Sequence, residues 1–204
     1  EVKLKEGDLI TLNGTKGYIA RNRVGLGTEN VPVLMTFDVS TAVPDGPNVV
    51  TIIGNMTGVV FDSIRDNISG LAFQPGTGFL YALFRDDTDA VTDHLLRIDP
   101  TTGAVISSKP LTGMNETVGS GEDMAFDAQG RLYITDDADN DLYEVDPDSG
   151  TIIAIVDSNE KGGLGVSTIK TEALAFDPET GVLVAADDDN DMFFRLTLDD
   201  GNNV

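Results

Sequence analysis

Two short acidic clusters carry carboxylates at a spacing that suits a hard cation. In "DDADND" (136–141), Asp137, Asp139 and Asp141 alternate as D-x-D-x-D, and in "DDDND" (187–191), Asp187, Asp189 and Asp191 do the same. Alternate residues of an extended segment point to one side, and several carboxylate oxygens converging there form the kind of ligand set calcium takes. These six aspartates are the expected metal ligands, with calcium as the ion. An EF-hand loop would need Gly after its fifth position, but Leu142 and Met192 stand there, so these are not EF-hands. Magnesium takes fewer protein carboxylates and fits less well. Turn chemistry is the competing explanation, because Asp and Asn tolerate left-handed backbone and close turns with their own side chains. A third loop, "DDTDAVTDH" (86–94), is longer and reads as a solvated insertion.

Glu122 and Glu172 form a second pair, each two residues ahead of an apolar residue, Met124 and Leu174. Two carboxylates at one mouth of a channel could hold a metal or act as acid and base. Ser69 holds the corresponding place in an earlier segment, and no third partner follows from spacing. The alternative is that both glutamates bond the backbone or face water. His94 is the single histidine and reads as a surface residue. The sequence contains no G-x-S-x-G elbow, complete P-loop or G-x-G-x-x-G fingerprint. The glycines of "GLG" (25–27) and "GGLG" (162–165) read as loop residues.

Acidic residues number 35 against 13 basic ones, a net charge of -22. Such a field repels nucleic acid and anionic lipid and attracts cations. There is no cysteine, which removes disulfides, thiolate metal sites and thiol nucleophiles. No apolar run is long enough to span a bilayer as a helix. With no initiator Met and no basic-then-apolar leader, the sequence is expected to be a mature or excised form. N-x-S/T sequons stand at Asn13, Asn55, Asn67 and Asn115 and matter only in a host that glycosylates exported proteins.

The elements that must position these residues are repeated. "GLAFQPGTGFLYALFRDD" (70–87), "DMAFDAQGRLYITDDADND" (123–141) and "ALAFDPETGVLVAADDDND" (173–191) align, with Ala72, Ala125 and Ala175 spaced by 53 and then 50 residues. Each continues into a second shared segment: "HLLRIDPTTGAVISS" (94–108), "DLYEVDPDSGTIIAI" (141–155) and "DMFFRLTLDDGNNV" (191–204). A weaker first copy is "LITLNGTKGYIAR" (9–21) followed by "PVLMTFDV" (32–39) and the residues to 58. Short runs rich in Val, Ile, Leu, Phe and Tyr, divided by turns such as "DPETG" and "DPTTG", are strands and hairpins. Four antiparallel strands per roughly 50 residues make a propeller blade. The expected fold is therefore all-β, a single propeller domain over 1–204 with blades at about 6–58, 59–114, 115–160 and 161–204. The fourth blade ends where its outer strand should begin, and "EVKLK" (1–5) could supply that strand as a clasp. A segment of a larger ring and a dimer that pools blades are the other two arrangements.

"GLAFQPGTGFLYAL" followed by "LLRIDPTTG" resembles a secreted bacterial domain family of unknown function with tandem "fD…pTG.LYal" repeats. "EDMAFDAQGRLYITDDADNDLYEVDPDSG" and "TEALAFDPETGVLVAADDDND" also resemble blades of esterase-like phytase and quorum-regulator-associated propellers. The likeness spans about 65–200, and it implies a fold more than an activity. Two functions follow as expectations. One is a non-catalytic extracellular, cell-surface or periplasmic propeller, a binding or assembly module braced by calcium and able to polymerise by strand addition. Its partners would be another protein or copies of itself, with no nucleic acid and no membrane insertion. The alternative is a calcium-dependent phosphoesterase or lactonase using Glu122 and Glu172, in which a metal stands in for the missing cationic cluster. A solute sensor using the loops of one face is a third.

Overall fold

The computed structural model describes residues 9–21, 31–43, 49–60, 67–85, 92–114, 116–136, 141–157, 171–187 and 191–196. These residues form four antiparallel meanders arranged as the four blades of a β-propeller. Blade 1 comprises β1 (Leu9–Asn13), β2 (Lys16–Arg21), β3 (Val33–Asp38) and β4 (Thr51–Asn55), with a single 3-10 turn, Val39–Thr41, after β3. Blade 2 comprises β5 (Asn67–Phe73), β6 (Leu80–Arg85), β7 (His94–Ile98) and β8 (Val105–Pro110).

In blade 3, two short strands, β9 (Thr112–Gly113) and β10 (Glu116–Thr117), precede β11 (Gly121–Phe126), β12 (Leu132–Asp136), β13 (Asp141–Asp146) and β14 (Thr151–Asp157). The short pair lies at the outer edge, where β9 runs parallel to β14. Blade 4 shows β15 (Ala173–Asp177), β16 (Val182–Asp187) and β17 (Met192–Leu196), with no fourth strand among the described residues. The expected clasp, residues 1–5, lies outside the described residues.

The hairpins close as their turn residues dictate. Asp99 Oδ1 accepts from the Thr101 backbone N–H at 2.8 Å, and Gly103 completes the turn at φ +77°. Asp177 and Gly181 repeat this in blade 4, with the Glu179 N–H at 2.9 Å and φ +72°. An L side chain is strained at such φ values, so Gly is the residue that fits.

Successive sheets pack face to face, and each junction has its own apolar cluster. Tyr18, Ala20 and Leu34 of blade 1 meet Leu80, Ala82, Phe84 and Leu96 of blade 2. Tyr81, Leu83 and Leu95 on the opposite face of blade 2 meet Leu132, Ile134, Tyr143 and Val145 of blade 3. Tyr133 and Leu142 of blade 3 meet Leu174, Leu183 and Ala185 of blade 4. Because side chains alternate along a strand, each inner blade is apolar on both faces. That explains why these strands read as nearly continuous hydrophobic runs. Ala72, Ala125 and Ala175 do occupy one register position, opposite Tyr81, Tyr133 and Val184.

Candidate functional site

The four inner strands β1, β5, β11 and β15 surround a central cavity of about 800 Å³. Its lining is mostly apolar, including Leu71, Phe73, Met124, Phe126, Leu174 and Phe176. The acid in that lining is Asp123, one residue beyond the expected Glu122. A bulge in β11 puts it there. Gly121 pairs with Asp136 and Met124 with Ile134, so Glu122 and Asp123 together oppose Thr135. Extra residues in a bulge re-aim side chains. The Thr135 hydroxyl occupies the irregular spot, accepting from the Asp123 N–H at 3.2 Å. The Asp123 carboxylate then accepts from the backbone N–H of Met124 and, across the junction, that of Leu174, both at 2.8 Å. Burial pushes this carboxyl up to about 7, although the Leu174 and Met124 amides act against the shift.

Glu122 points to a different partner. Its Oε1 lies 2.7 Å from Arg85 Nη2, an ion pair between blades 3 and 2. Around it, Asp93 Oδ2 accepts from the Gly121 N–H at 2.7 Å, and Asp136 Oδ2 accepts from the Gly119 and Ser120 N–H groups at 3.0 and 3.2 Å. Burial pushes Asp93 up to about 6, moderated by the Gly121 amide and by Arg85. Burial works against the Arg85 charge, yet hydrogen bonding and attraction from Glu122, then Asp93 and Asp136, leave the guanidinium above its ordinary value. Beside this network, Asn67 Oδ1, Ser69 Oγ and Arg85 Nε are buried without a protein partner. A small polar ligand or water would satisfy them there.

Glu172 is the more exposed of the two glutamates, and its backbone N–H donates to Ala186 O at 3.0 Å. Sequence reasoning missed the buried Asp93 and Asp136 and the part-buried Asp123, and it did not link Arg85 to Glu122, whose contact joins different blades.

Of the six expected metal ligands, Asp137, Asp139 and Asp189 lie outside the described residues. Asp141 begins β13 opposite Asp136, Asp187 ends β16 almost fully buried at 1 % exposure, and Asp191 is exposed in left-handed backbone at φ +53°. The two acidic loops do not superpose as the D-N-D spelling suggests. Asp136 pairs with Asp141, whereas Asp187 pairs with Met192. Asp187 thus corresponds to Asp136, not to Asp137, and Asp191 is a turn residue. Among the described residues, no three carboxylate or imidazole groups gather as a metal cage. His94 lies on β7, with Nδ1 2.9 Å from Ser108 Oγ. Of the sequons, Asn13 is exposed beside the β1–β2 turn, Asn55 is half-buried, Asn67 has a buried Oδ1, and Asn115 lies outside the described residues.

Solved structures share this fold at low sequence identity. Glutaminyl cyclase from Myxococcus xanthus aligns with a TM-score of 0.61 at 17% identity, covering 93% of this chain and 71% of the cyclase. A protein of unknown function from Bacteroides caccae aligns at 0.59 and 12%, covering 98% of this chain and 61% of that one. A gluconolactonase from Xanthomonas campestris aligns at 0.50 and 14%, covering 87% and 52%. At these identities the likeness is one of fold. No curated protein matches the chain by sequence. A family model does, over residues 29–203, and the chain belongs to that family, described as Repeat of unknown function (DUF6923).

Proposed function

We propose that this propeller is a non-catalytic extracellular module for binding or assembly, with calcium bracing its acidic loops. The observation that carries the reading is the use made of the carboxylates at and around the β11 bulge, of which Asp123 lines the cavity. Asp123 bridges two inner strands through the Met124 and Leu174 amides. Glu122 is engaged by Arg85, and Asp93 and Asp136 hold the Gly119–Gly121 backbone. Groups bonded in this way fasten blades together. A general base needs its lone pairs aimed at a substrate proton. The strongly acidic surface, with a net charge of -22, suits cation binding outside the cell.

A second reading is a propeller hydrolase. It is favoured by Asp123 itself, a carboxyl that lines the cavity and titrates at about 7, within the range of a general acid or base. The fold it shares with a gluconolactonase and a glutaminyl cyclase is compatible with such chemistry. Turnover assays on lactones, p-nitrophenyl phosphate and phytate, with and without calcium, separate the two. The expected result is no turnover. Activity abolished by Glu122→Gln or Asp123→Asn would establish the hydrolase.

A further inference from the structure

The central cavity changes its chemistry along its length. Phe73, Phe126 and Phe176 line it. Each follows one of the repeated alanines, and the three share a register position, opposite Leu80, Leu132 and Leu183. One ring per repeated inner strand at the same level makes an aromatic belt. Asp123 precedes Phe126 on the same strand, β11, with Met124 and Ala125 between them. At the rise of an extended strand, three steps put the acid about 10 Å from the belt.

Charge in this cavity has one sign. Among the described residues, Asp123 is the one charged side chain in the lining, and no Lys, Arg or His joins it. Arg85, the cation of the neighbouring network, pairs with Glu122 and is not part of the lining. The Met124 and Leu174 amides occupy one position on each Asp123 oxygen. An ionised carboxylate offers about four acceptor positions, so about two remain. Burial works against the charge on this carboxyl, and an opposite charge brought beside it offsets that cost. A neutral apolar molecule would gain the walls and leave the carboxylate without a counter-ion. An anion would meet that carboxylate inside a chain of net charge -22. At about 800 Å³ the cavity has the size of an ordinary small-molecule site.

We propose that the central cavity binds an organic cation, an ammonium group carried on an apolar body about 10 Å long, with the charge at Asp123 and the body reaching the belt of Phe73, Phe126 and Phe176. This rests on the binding reading above and names the class of ligand. The backbone amides and the ligand use different lone pairs of one carboxylate, so the bonds that Asp123 makes to Met124 and Leu174 stay in place when the ligand enters.

Calorimetric titration of the whole chain with three probes of one shape tests the proposal: 4-phenylbutylamine, 4-phenylbutanol and 4-phenylbutyrate. The titrations are run at about pH 8, where most of Asp123 is ionised, and in salt that screens the diffuse attraction of the acidic surface. The amine should bind about tenfold or more tighter than the alcohol, as a charge-assisted hydrogen bond allows, and the carboxylate should bind least. Asp123→Asn should bring the amine to the level of the alcohol and leave the alcohol unchanged. Ala175 is exposed and lines the cavity, so Ala175→Phe should fill space without displacing a buried neighbour and should weaken amine and alcohol alike. Circular dichroism shows whether each variant is folded. If Asp123→Asn is not, the ranking of the probes and Ala175→Phe still decide. Equal affinity for the three probes, or binding by none of them, would overturn the proposal. Amine binding that survives both variants would also overturn it and would place the amine on the acidic surface. Turnover in the lactone and phosphate-ester assays would sink the non-catalytic reading, and it is scored separately, so the two failures are distinguishable.

Discussion

Replacing Asp123 by Asn tests the clamp between blades 3 and 4 through its pH dependence. The carboxyl titrates at about 7 in the folded chain against 3.8 ordinarily, chiefly because burial disfavours its charge. Between those values the folded chain retains a proton that the unfolded chain has released, so stability falls as pH rises through this window. A displacement of that size corresponds to on the order of 4 kcal/mol in the charged state. The side chain is partly exposed, and solvent screening leaves about 2–4 kcal/mol. Asp93, at about 6, adds a loss in the same direction that is complete at a lower pH. Net charge also falls on acidification, which relieves self-repulsion. The wild-type melting temperature should therefore rise between about pH 8 and about pH 5.

Asp123→Asn removes the titration. It also leaves one oxygen to serve two backbone amides, and the lost bond costs about 1–3 kcal/mol. The variant should thus lie near the wild type at about pH 8 and clearly below it at about pH 5. Thermal unfolding followed by circular dichroism at fixed ionic strength reads this out. With roughly 2–4 °C per kcal/mol for a chain of this length, the variant's rise on acidification should be smaller by about 5–15 °C. Parallel wild-type and variant curves would show that Asp123 is not a buried acid and would refute the reasoning.

Gly70→Val should lower the melting temperature, because a Cβ at Gly70 lies 3.1 Å from the Met124 backbone N and 3.2 Å from Asp123 Cα. Forcing β5 from β11 should cost about 1–3 kcal/mol in a melt, and an unchanged Tm would show that the strands part freely. Arg85→Met removes the cation facing Glu122, Asp93 and Asp136, and should destabilise by roughly 1–3 kcal/mol. That loss should be larger above about pH 6, where Asp93 is charged, and an equal loss at all pH values would exclude the coupling to Asp93. Asp99 and Asp177 are held below the ordinary carboxylate value by the Thr101 and Thr180 hydroxyls and nearby amides. Their contribution is present above 3.8 and disappears as pH falls through their folded values. Melting curves should therefore have a maximum between about pH 4 and about pH 6 and decline on the acid side, and a Tm that kept rising below that range would contradict it. Millimolar calcium should raise Tm and EDTA should lower it; superimposable curves would count against calcium in the acidic loops.

The blades were legible because their determinants are local. Asp99 with Gly103 and Asp177 with Gly181 set the turns from a few adjacent residues. Runs such as Leu80–Arg85 spell a strand whichever blade it packs on. Tyr81 and Tyr133 both sit opposite the repeated Ala on its partner strand. The register of the acidic loops was not legible, because Asp and Asn recur wherever a turn needs them. Aligning D-N-D with D-N-D matched Asp191 to Asp141, whereas the strand pairing makes Met192 the counterpart of Asp141. The Arg85–Glu122 pair was hidden because its members are 37 positions apart on different sheets.

One slot shows how a residue that looks incidental in the sequence takes its meaning from the neighbouring blade. Gly70 faces Leu83, Asp123 lies in the bulge opposite Thr135, and Ala173 faces Ala186, so the three share a place on their inner strands. Gly70 lets the backbone of blade 2 approach that of blade 3 directly. Asp123 reaches across the next junction and holds blade 4 by its carboxylate. Ala173 is exposed. A Gly or an Asp at this slot is explained by the strand it touches, and nothing in the residue alone distinguishes a clamp from an ordinary acid. The junction of blades 3 and 4 thus joins an apolar cluster, Tyr133 and Leu142 against Leu174 and Leu183, to a carboxylate that bonds across it.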